Sequence, residues 1–334
     1  MVYELLGITL ALAALLTLNA VVTLAASALW RFFLARRTLR WPAAARANLV
    51  FALRALPLLT ASACVVALLI PAYVIHEPRH TDEEISTTLI ALAALSAVGI
   101  ALAVVRGVSA WAATRRLVRD WLRHAEPVAL PGVGVPAYVL RHTFPLIAVV
   151  GVFRPRLFVA AQVFDALGRE ELAAAIAHEA GHLRARDNLK RAALRVCRDS
   201  LSIFPSGRVL DRAWARAAEM AADECAARSG GRVALDLAAA LIKIARLVPP
   251  QGRPAIPAGA YINGAGGDGV EARVRRLLQL AAARDGETRA GEFALRWVAF
   301  SSASALLAAV LVPLATPDAY EAIHAVIEHV VATL

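Results

Sequence analysis

The chain contains little cysteine and little charge. Its three cysteines, Cys64, Cys197 and Cys225, are too few and too scattered for a disulfide framework or a thiolate zinc cluster, so we interpret them as packing residues. Only 19% of the residues are charged, whereas a soluble domain has about 25% charged residues. Hydrophobic residues make up 59% of the chain, compared with about 45–50% in a soluble domain. This composition excludes a disordered chain and favours an α-helical membrane protein.

Four long apolar runs predict four transmembrane helices. They lie at about 5–29, 49–75, 87–110 and 295–315, and each is long enough to cross a bilayer as a helix. No Lys or Arg precedes the first run, so we predict a retained span rather than a cleaved signal peptide. Arg54 lies near the start of the second run, where we expect its side chain to snorkel toward the headgroups.

The charges between these runs set the predicted orientation. Residues 31–48 carry five arginines and no acid, and residues 114–126 carry four arginines against two acids. Acidic residues dominate in 76–86 and in the tail after the fourth run. The positive-inside rule therefore places the segment 114–292 in the cytoplasm and the tail outside. The arginines beside the membrane account for the net charge of +10, so we predict the lipid bilayer as a partner and no nucleic acid.

The predicted domains are 1–113 with three transmembrane helices, a cytoplasmic domain at 114–292, and 293–334 with the fourth helix and a short external tail. Short apolar runs in the cytoplasmic domain predict a small sheet, and helical patterns follow, so we predict an α+β domain. The predicted strands are 137–140, 147–150 and 157–160; the predicted helices are about 169–185, 188–203, 208–228, 233–247 and 270–283; a loop rich in Pro and Gly is predicted at 249–269.

The residues that indicate function are His-Glu-Ala-Gly-His, from His178 to His182. On a helix, positions i and i+4 share a face, so the two imidazoles can bind one Zn²⁺. Glu179 lies beside them, where it can take a proton from zinc-activated water as a general base. Gly181 and Ala180 leave room for a close neighbour. The motif predicts a hydrolytic zinc site with Glu179 as its catalytic residue.

A hydrolytic zinc site needs a third protein ligand and one open position. Glu219 and Asp223 are again i and i+4 on a predicted helix. Glu219 can bind the metal while Asp223 accepts a hydrogen bond from a ligating imidazole. The competing assignment makes Asp223 or Glu224 the ligand, and spacing alone leaves both assignments open.

The stretch from about 130 to 280 resembles the integral-membrane gluzincins, above all the BlaR/MecR-type sensor-transducer peptidases, and is related to the CAAX prenyl protease and HtpX-type peptidases. The matching residues are Arg154 to Val159, Leu167 to Leu183, Asp187, Phe204-Pro205 and Glu219 to Asp223. The resemblance implies that His178, His182 and Glu219 bind zinc, that Glu179 is the base and that Asp223 supports a ligand. It also implies a multi-pass protein of a bacterial-type inner membrane.

The sensor-transducers carry a large extracellular domain after their last span, whereas here only a short tail follows it. The resemblance therefore does not extend to β-lactam sensing. It implies a zinc endopeptidase that cuts proteins at the cytoplasmic membrane face, in signalling by antirepressor cleavage or in membrane-protein quality control. A non-catalytic membrane scaffold is the alternative. The substrate, the activating signal, self-cleavage and the oligomeric state are not indicated by the sequence.

Three further expectations concern the surroundings of the motif. Asp187 is expected to cap the active-site helix or to hold Arg184. Arg273 is expected to form a salt bridge or to assist the transition state. Substrate is expected to bind in extended form beside the sheet, with the run from Leu157 to Ala160 as the exposed edge.

Overall fold

A computed structural model of the chain describes residues 2–78, 85–199, 207–248, 267–282 and 316–333. The predicted fourth transmembrane helix at 295–315 lies outside the described residues, as does most of the loop predicted at 249–269. Gly267, at the end of that predicted loop, already belongs to a helix.

Three long helices form the first third of the chain: α1 (Val2–Arg40), α2 (Ala43–His76) and α3 (Thr87–His124). Helix α1 includes a π turn at Trp30–Leu34 and ends in a 3-10 turn at Thr38–Arg40, and α2 includes a π turn at Val65–Leu69. All three are long and apolar enough to cross a membrane. Only 33%, 28% and 22% of their most apolar windows are buried, so most of this apolar surface faces outward, as lipid contact requires.

The three helices exceed the lengths predicted from the apolar runs. They have 39, 34 and 38 residues, which corresponds to about 51–58 Å at about 1.5 Å per residue. The hydrocarbon core of a bilayer is only about 30 Å thick. Each helix therefore extends well beyond the span that its apolar residues define, and α3 continues through the predicted domain boundary after residue 113.

The expectation that Arg54 snorkels toward the headgroups is wrong. Its side chain is buried, and Nε donates to Asp211 Oδ1 at 2.9 Å while Nη1 donates to Cys197 O at 3.4 Å. Gly207 leaves the space that the guanidinium occupies, because a Cβ there would lie 3.2 Å from it. The sequence could not show this, since the partners of Arg54 lie more than 140 positions further along the chain.

The domain that follows the long helices contains a small sheet, as predicted. The sheet has four strands: β1 (Glu126–Val128), β2 (Ala137–Leu140), β3 (Ile147–Val150) and β4 (Arg156–Ala160). The strand order is β1-β2-β4-β3. Strand β4 is parallel to β2 and antiparallel to β3, and β1 is antiparallel to β2. The three predicted runs are strands, whereas β1 was not predicted because it has only three residues, one of them proline.

The expectation that Leu157 to Ala160 form the exposed edge is wrong. These residues belong to β4, which has a neighbour on each side. The edge next to the helix that carries the His-Glu-Ala-Gly-His motif is β3, which comes before β4 in the chain but lies outside it in the sheet. Strand order is decided by the parallel β2–β4 pairing, which leaves no signature in the local sequence.

The remaining helices are α4 (Ala161–Ala166), α5 (Arg169–Ala185), α6 (Asp187–Asp199), α7 (Gly207–Ala227), α8 (Gly231–Leu247), α9 (Gly267–Ala282) and α10 (Pro317–Thr333). The short α4 was not predicted, and the predicted helices from 169 to 283 correspond to α5 through α9. The main core lies between the sheet and helices α5, α8 and α9.

Helix α7 packs along the first half of α2 and joins the domain to the long helices. Its residues Leu210, Trp214 and Ala218 form a second buried cluster with Val50 of α2 and Trp30 of α1. Helix α10 lies at the other end of α2, where Ile323 and Ile327 contact a cluster around Leu6 and Tyr73. The domain that contains the sheet and helix α10 thus lie at opposite ends of the helical bundle.

Candidate metal centre

Helix α5 carries the His-Glu-Ala-Gly-His motif into the interior of the domain. Its first turn is closed by Glu171, whose carboxylate accepts from Gly168 N at 2.7 Å. Gly181 allows α7 to approach, because a Cβ at this position would lie 3.1 Å from Ala222 Cα. The predicted space for a close neighbour is therefore filled by the helix that carries Glu219 and Asp223.

His178, His182 and Glu219 form a compact group. Their potential ligand atoms lie within 4.8 Å of one another, so the three residues could hold a metal ion. Nε2 of His178 is 3.7 Å from Glu219 Oε2, and Nε2 of His182 is 3.6 Å from Glu219 Oε1. Tetrahedral ligands at about 2.0–2.1 Å from zinc are about 3.4 Å apart. The separations thus match a shared metal better than direct hydrogen bonds.

Both imidazoles are oriented by carboxylates on the side away from this group. Asp223 Oδ1 lies 2.9 Å from His178 Nδ1, and Asp187 Oδ2 lies 2.7 Å from His182 Nδ1. A proton on each Nδ1 leaves the lone pair of each Nε2 directed at Glu219, which is the tautomer a metal needs. Asp187 reaches His182 because Arg186, with φ 53°, adopts the left-handed conformation between α5 and α6.

The buried polar atoms around this group fit a metal and a water. His178 Nε2, His182 Nε2 and Glu179 Oε1 are buried and have no hydrogen-bond partner within the described ranges. Buried polar atoms in proteins are almost always satisfied, so three neighbouring exceptions call for an explanation. Two imidazole nitrogens and a carboxylate are one of the donor sets of catalytic zinc sites, which keep one open position.

Glu179 lies between this group and the edge strand of the sheet. It is fully buried, and its Oε2 accepts from Val149 N at 3.1 Å. Burial raises the pKa of Glu179 to about 7, and the charge of Glu219 adds to this shift. Burial also lowers the pKa of His178. A carboxyl with a pKa near neutrality suits a group that exchanges a proton during a reaction.

Arg273 of α9 connects the carboxylates on α7. It contacts both oxygens of Asp223, at 2.7 and 2.8 Å, and Nη1 lies 3.2 Å from Glu219 Oε2. Burial disfavours the charged form of Asp223, but Arg273 outweighs this effect and lowers the pKa of Asp223. The salt bridge, one of the two roles expected for Arg273, is therefore formed.

The three candidates for the third ligand occupy different positions. Glu219 faces the two imidazoles, whereas Asp223 supports His178 from behind. Glu224 points away from the group: its Oε2 accepts from Ala43 N at the start of α2, at 2.9 Å, and its Oε1 pairs with Arg276. This geometry favours Glu219 and leaves no such role for Glu224.

One contact, that of Asp187, differs from the expectation, and another, that of Glu179 with Val149, was not predicted. Asp187 holds His182 rather than Arg184, which instead donates to Cys225 Sγ at 3.1 Å. The position of Asp187, five residues after the second histidine, was the only available indication. The hydrogen bond between Glu179 and Val149 was missed, because it depends on which strand forms the sheet edge.

A small mixed sheet, a buried helix with two histidines facing one carboxylate, and carboxylates behind the histidines together define a metallopeptidase type of site. The sequence model of peptidase family M48 matches residues 112–312. The chain therefore belongs to peptidase family M48, and it is a metallopeptidase, a hydrolase of peptide bonds. None of the curated proteins matches the chain.

Proposed function

We propose that the chain is a membrane-embedded, zinc-dependent endopeptidase that cuts proteins at the cytoplasmic face of the inner membrane. The observation that supports this most strongly is the group of unsatisfied buried atoms on His178, His182 and Glu179 next to Glu219. The arginine-rich segments around the apolar helices support the cytoplasmic orientation.

In this proposal His178, His182 and Glu219 hold the zinc ion. When bound, zinc supplies Lewis acidity, which lowers the pKa of a water molecule and polarises the scissile carbonyl. Glu179 Oε1 would accept a proton from the attacking water and return it to the leaving amine. Asp223 and Asp187 keep both imidazoles in the required tautomer.

The substrate would bind as an extended chain along β3. A strand at a sheet edge can pair with the backbone of another chain, and β3 is the edge nearest Glu179. Its residues are less than 3% exposed, so substrate binding must move side chains aside. This arrangement replaces the edge first expected at Leu157 to Ala160.

The activity is tested on the full chain, purified in detergent and loaded with zinc. We expect cleavage of β-casein by the wild type and none by Glu179→Gln, which removes the base and no ligand. Metal analysis should show one zinc per chain in both proteins, and reduced zinc in His178→Ala, His182→Ala and Glu219→Ala. Full zinc retention by Glu219→Ala would assign the third ligand to another residue.

We propose two alternative biological roles: antirepressor cleavage in signalling, or quality control of membrane proteins. Comparative proteomics of cells that carry the wild type or Glu179→Gln separates them. One or a few fragments present only with the wild type indicate signalling, whereas many fragments of membrane proteins indicate quality control.

A further inference from the structure

The edge strand β3 ends against a side chain of helix α6. Asn188 Nδ2 donates to the backbone oxygen of Val149 at 2.9 Å and to that of Gly151 at 3.0 Å. Both amide hydrogens are therefore used, which fixes the orientation of the side chain. Asn188 Oδ1 has no hydrogen-bond partner in the part of the chain that the structure describes. The amide thus serves the two strand oxygens alone.

The strand register shows that these oxygens lie on the outer side of the sheet. Ala160 N donates to Leu146 O at 2.8 Å, and β3 is antiparallel to β4. Residues in an antiparallel pair alternate between bonding to the partner strand and facing away from it. The residues whose backbone groups face away from β4 are therefore Ile147, Val149 and Gly151.

Two of these three residues are already engaged. Val149 N donates to Glu179 and Val149 O accepts from Asn188, which also binds the oxygen of Gly151. Ile147 is the outward residue that remains for pairing with a substrate. Glu179, the proposed base, contacts the strand at Val149, so the scissile bond must face the strand close to the point where Asn188 closes it.

We propose that Asn188 is a specificity-determining residue that ends the substrate-binding edge at Val149; this inference rests on the proposed function. A substrate chain antiparallel to β3 has its amino-terminal part beside the carboxyl end of β3. Asn188 occupies that end, so the residues before the scissile bond must leave the sheet. The enzyme then binds its substrate mainly through residues on the carboxyl side of the cleaved bond.

This geometry defines a class of substrate. In a segment that is extended on both sides of the cleaved bond, the amino-terminal part forms no backbone hydrogen bonds with β3 and so adds nothing to binding. A segment that becomes extended only at the cleaved bond, such as one that emerges from a turn or from the end of a helix, fits the site fully. A segment that is extended from the cleaved bond onward therefore fits the site, whatever the conformation of the residues before that bond.

The test uses the full chain in detergent, loaded with zinc, with β-casein as the first probe. Mass spectrometry identifies the preferred casein site, and two series of synthetic peptides then extend that site by one residue at a time on either side. For the wild type, kcat/KM should rise with length on the carboxyl side and stay within about twofold on the amino side. In Asn188→Ala, each added amino-side residue that regains a backbone hydrogen bond should raise kcat/KM by about twofold to tenfold.

Gln162→Ala is the matched control. Gln162 Nε2 also donates to a backbone oxygen, that of His142, at 3.0 Å, but away from β3. Its loss should affect stability without changing the length dependence. Asn188→Ser, which keeps a polar group too short to reach both oxygens, serves as a second variant if Asn188→Ala folds poorly.

The outcomes are distinguishable. The role of Asn188 is refuted if the kcat/KM of the wild type rises equally with peptide length on both sides. It is also refuted if an Asn188 variant with full zinc keeps the wild-type length dependence. Neither result contradicts the proposed function. A zinc-loaded wild type that cuts β-casein no faster than Glu179→Gln refutes the proposed function, and this inference with it.

Discussion

The buried ion pair between Arg54 and Asp211 provides a quantitative test of how α2 and α7 are joined. Removal of one partner of a buried pair costs about 3–5 kcal/mol, because the other charge stays buried. The Asp211 side chain is 22% exposed and the Arg54 side chain is 6% exposed, so water relieves an isolated Asp211 more than an isolated Arg54. We therefore expect the free energy of unfolding to fall by about 3 kcal/mol in Asp211→Leu and by about 2 kcal/mol in Arg54→Met.

The double variant separates this reasoning from simple loss of packing. Arg54→Met with Asp211→Leu replaces both charges by apolar groups of similar size, and such replacements are often neutral. We expect the free energy of unfolding of the double variant to be within about 1 kcal/mol of that of the wild type, so that the effects of the two single substitutions do not add.

The assay is thermal unfolding of the full chain in detergent, followed by tryptophan fluorescence. At about 2–4 °C per kcal/mol, Asp211→Leu should lower Tm by about 6–12 °C. Arg212→Met removes an exposed charge next to Asp211 on the same helix and should leave Tm almost unchanged. Additive losses in the double variant, or a neutral Asp211→Leu, would refute a buried, energetically coupled pair.

Three further predictions concern the edge strand, the helix contact and the orientation. Ile147→Pro removes an outward N–H of β3 and part of a buried side chain but leaves the β3–β4 hydrogen bonds intact, so it should reduce proteolysis and lower stability with zinc retained. Val159→Pro disrupts the interior strand β4 and should unfold the domain. Circular dichroism and metal analysis distinguish the two, and equal behaviour would contradict the strand order. Gly181→Ala should push α7 away, cost about 1–3 kcal/mol and weaken zinc binding in a chelator competition, and unchanged affinity would exclude a tight contact. Reporter fusions after Gly269 and after Leu334 should report opposite sides of the membrane, and the same side for both would refute the fourth span or the charge argument.

Local patterns predicted most of the secondary structure. The apolar runs mark the cores of α1 to α3, and three short apolar runs mark β2, β3 and β4. The ends of the long helices were not predictable, because the segments that continue them mix Ala, Arg and Leu and show no apolar run. The strand order was not predictable either, because the parallel pairing of β2 with β4 joins residues about 20 positions apart.

The candidate site was predictable where spacing on one helix decides it. His178 and His182 share a face by helical geometry, and the structure brings Glu219 to them. The choice between Glu219 and Glu224 depended on the rotation of α7, which is set by its packing against α2. The contacts of Asp187 and Asn188 depended on the left-handed turn at Arg186, a conformation that an arginine does not signal in the sequence.

The attachment of α7 to α2 has a consequence for the domain as a separable unit. A polypeptide of residues 114–292 would contain the whole metal site but would expose Leu210 and Trp214, which α1 and α2 cover in the full chain. It would also lose the partner of Asp211 and the backbone N–H that holds Glu224. Glu219 lies between those two attachment points on α7, so we expect the separated domain to hold this carboxylate less firmly than the full chain does. The affinity of the candidate site for a metal would then depend partly on a helix that carries none of its ligands.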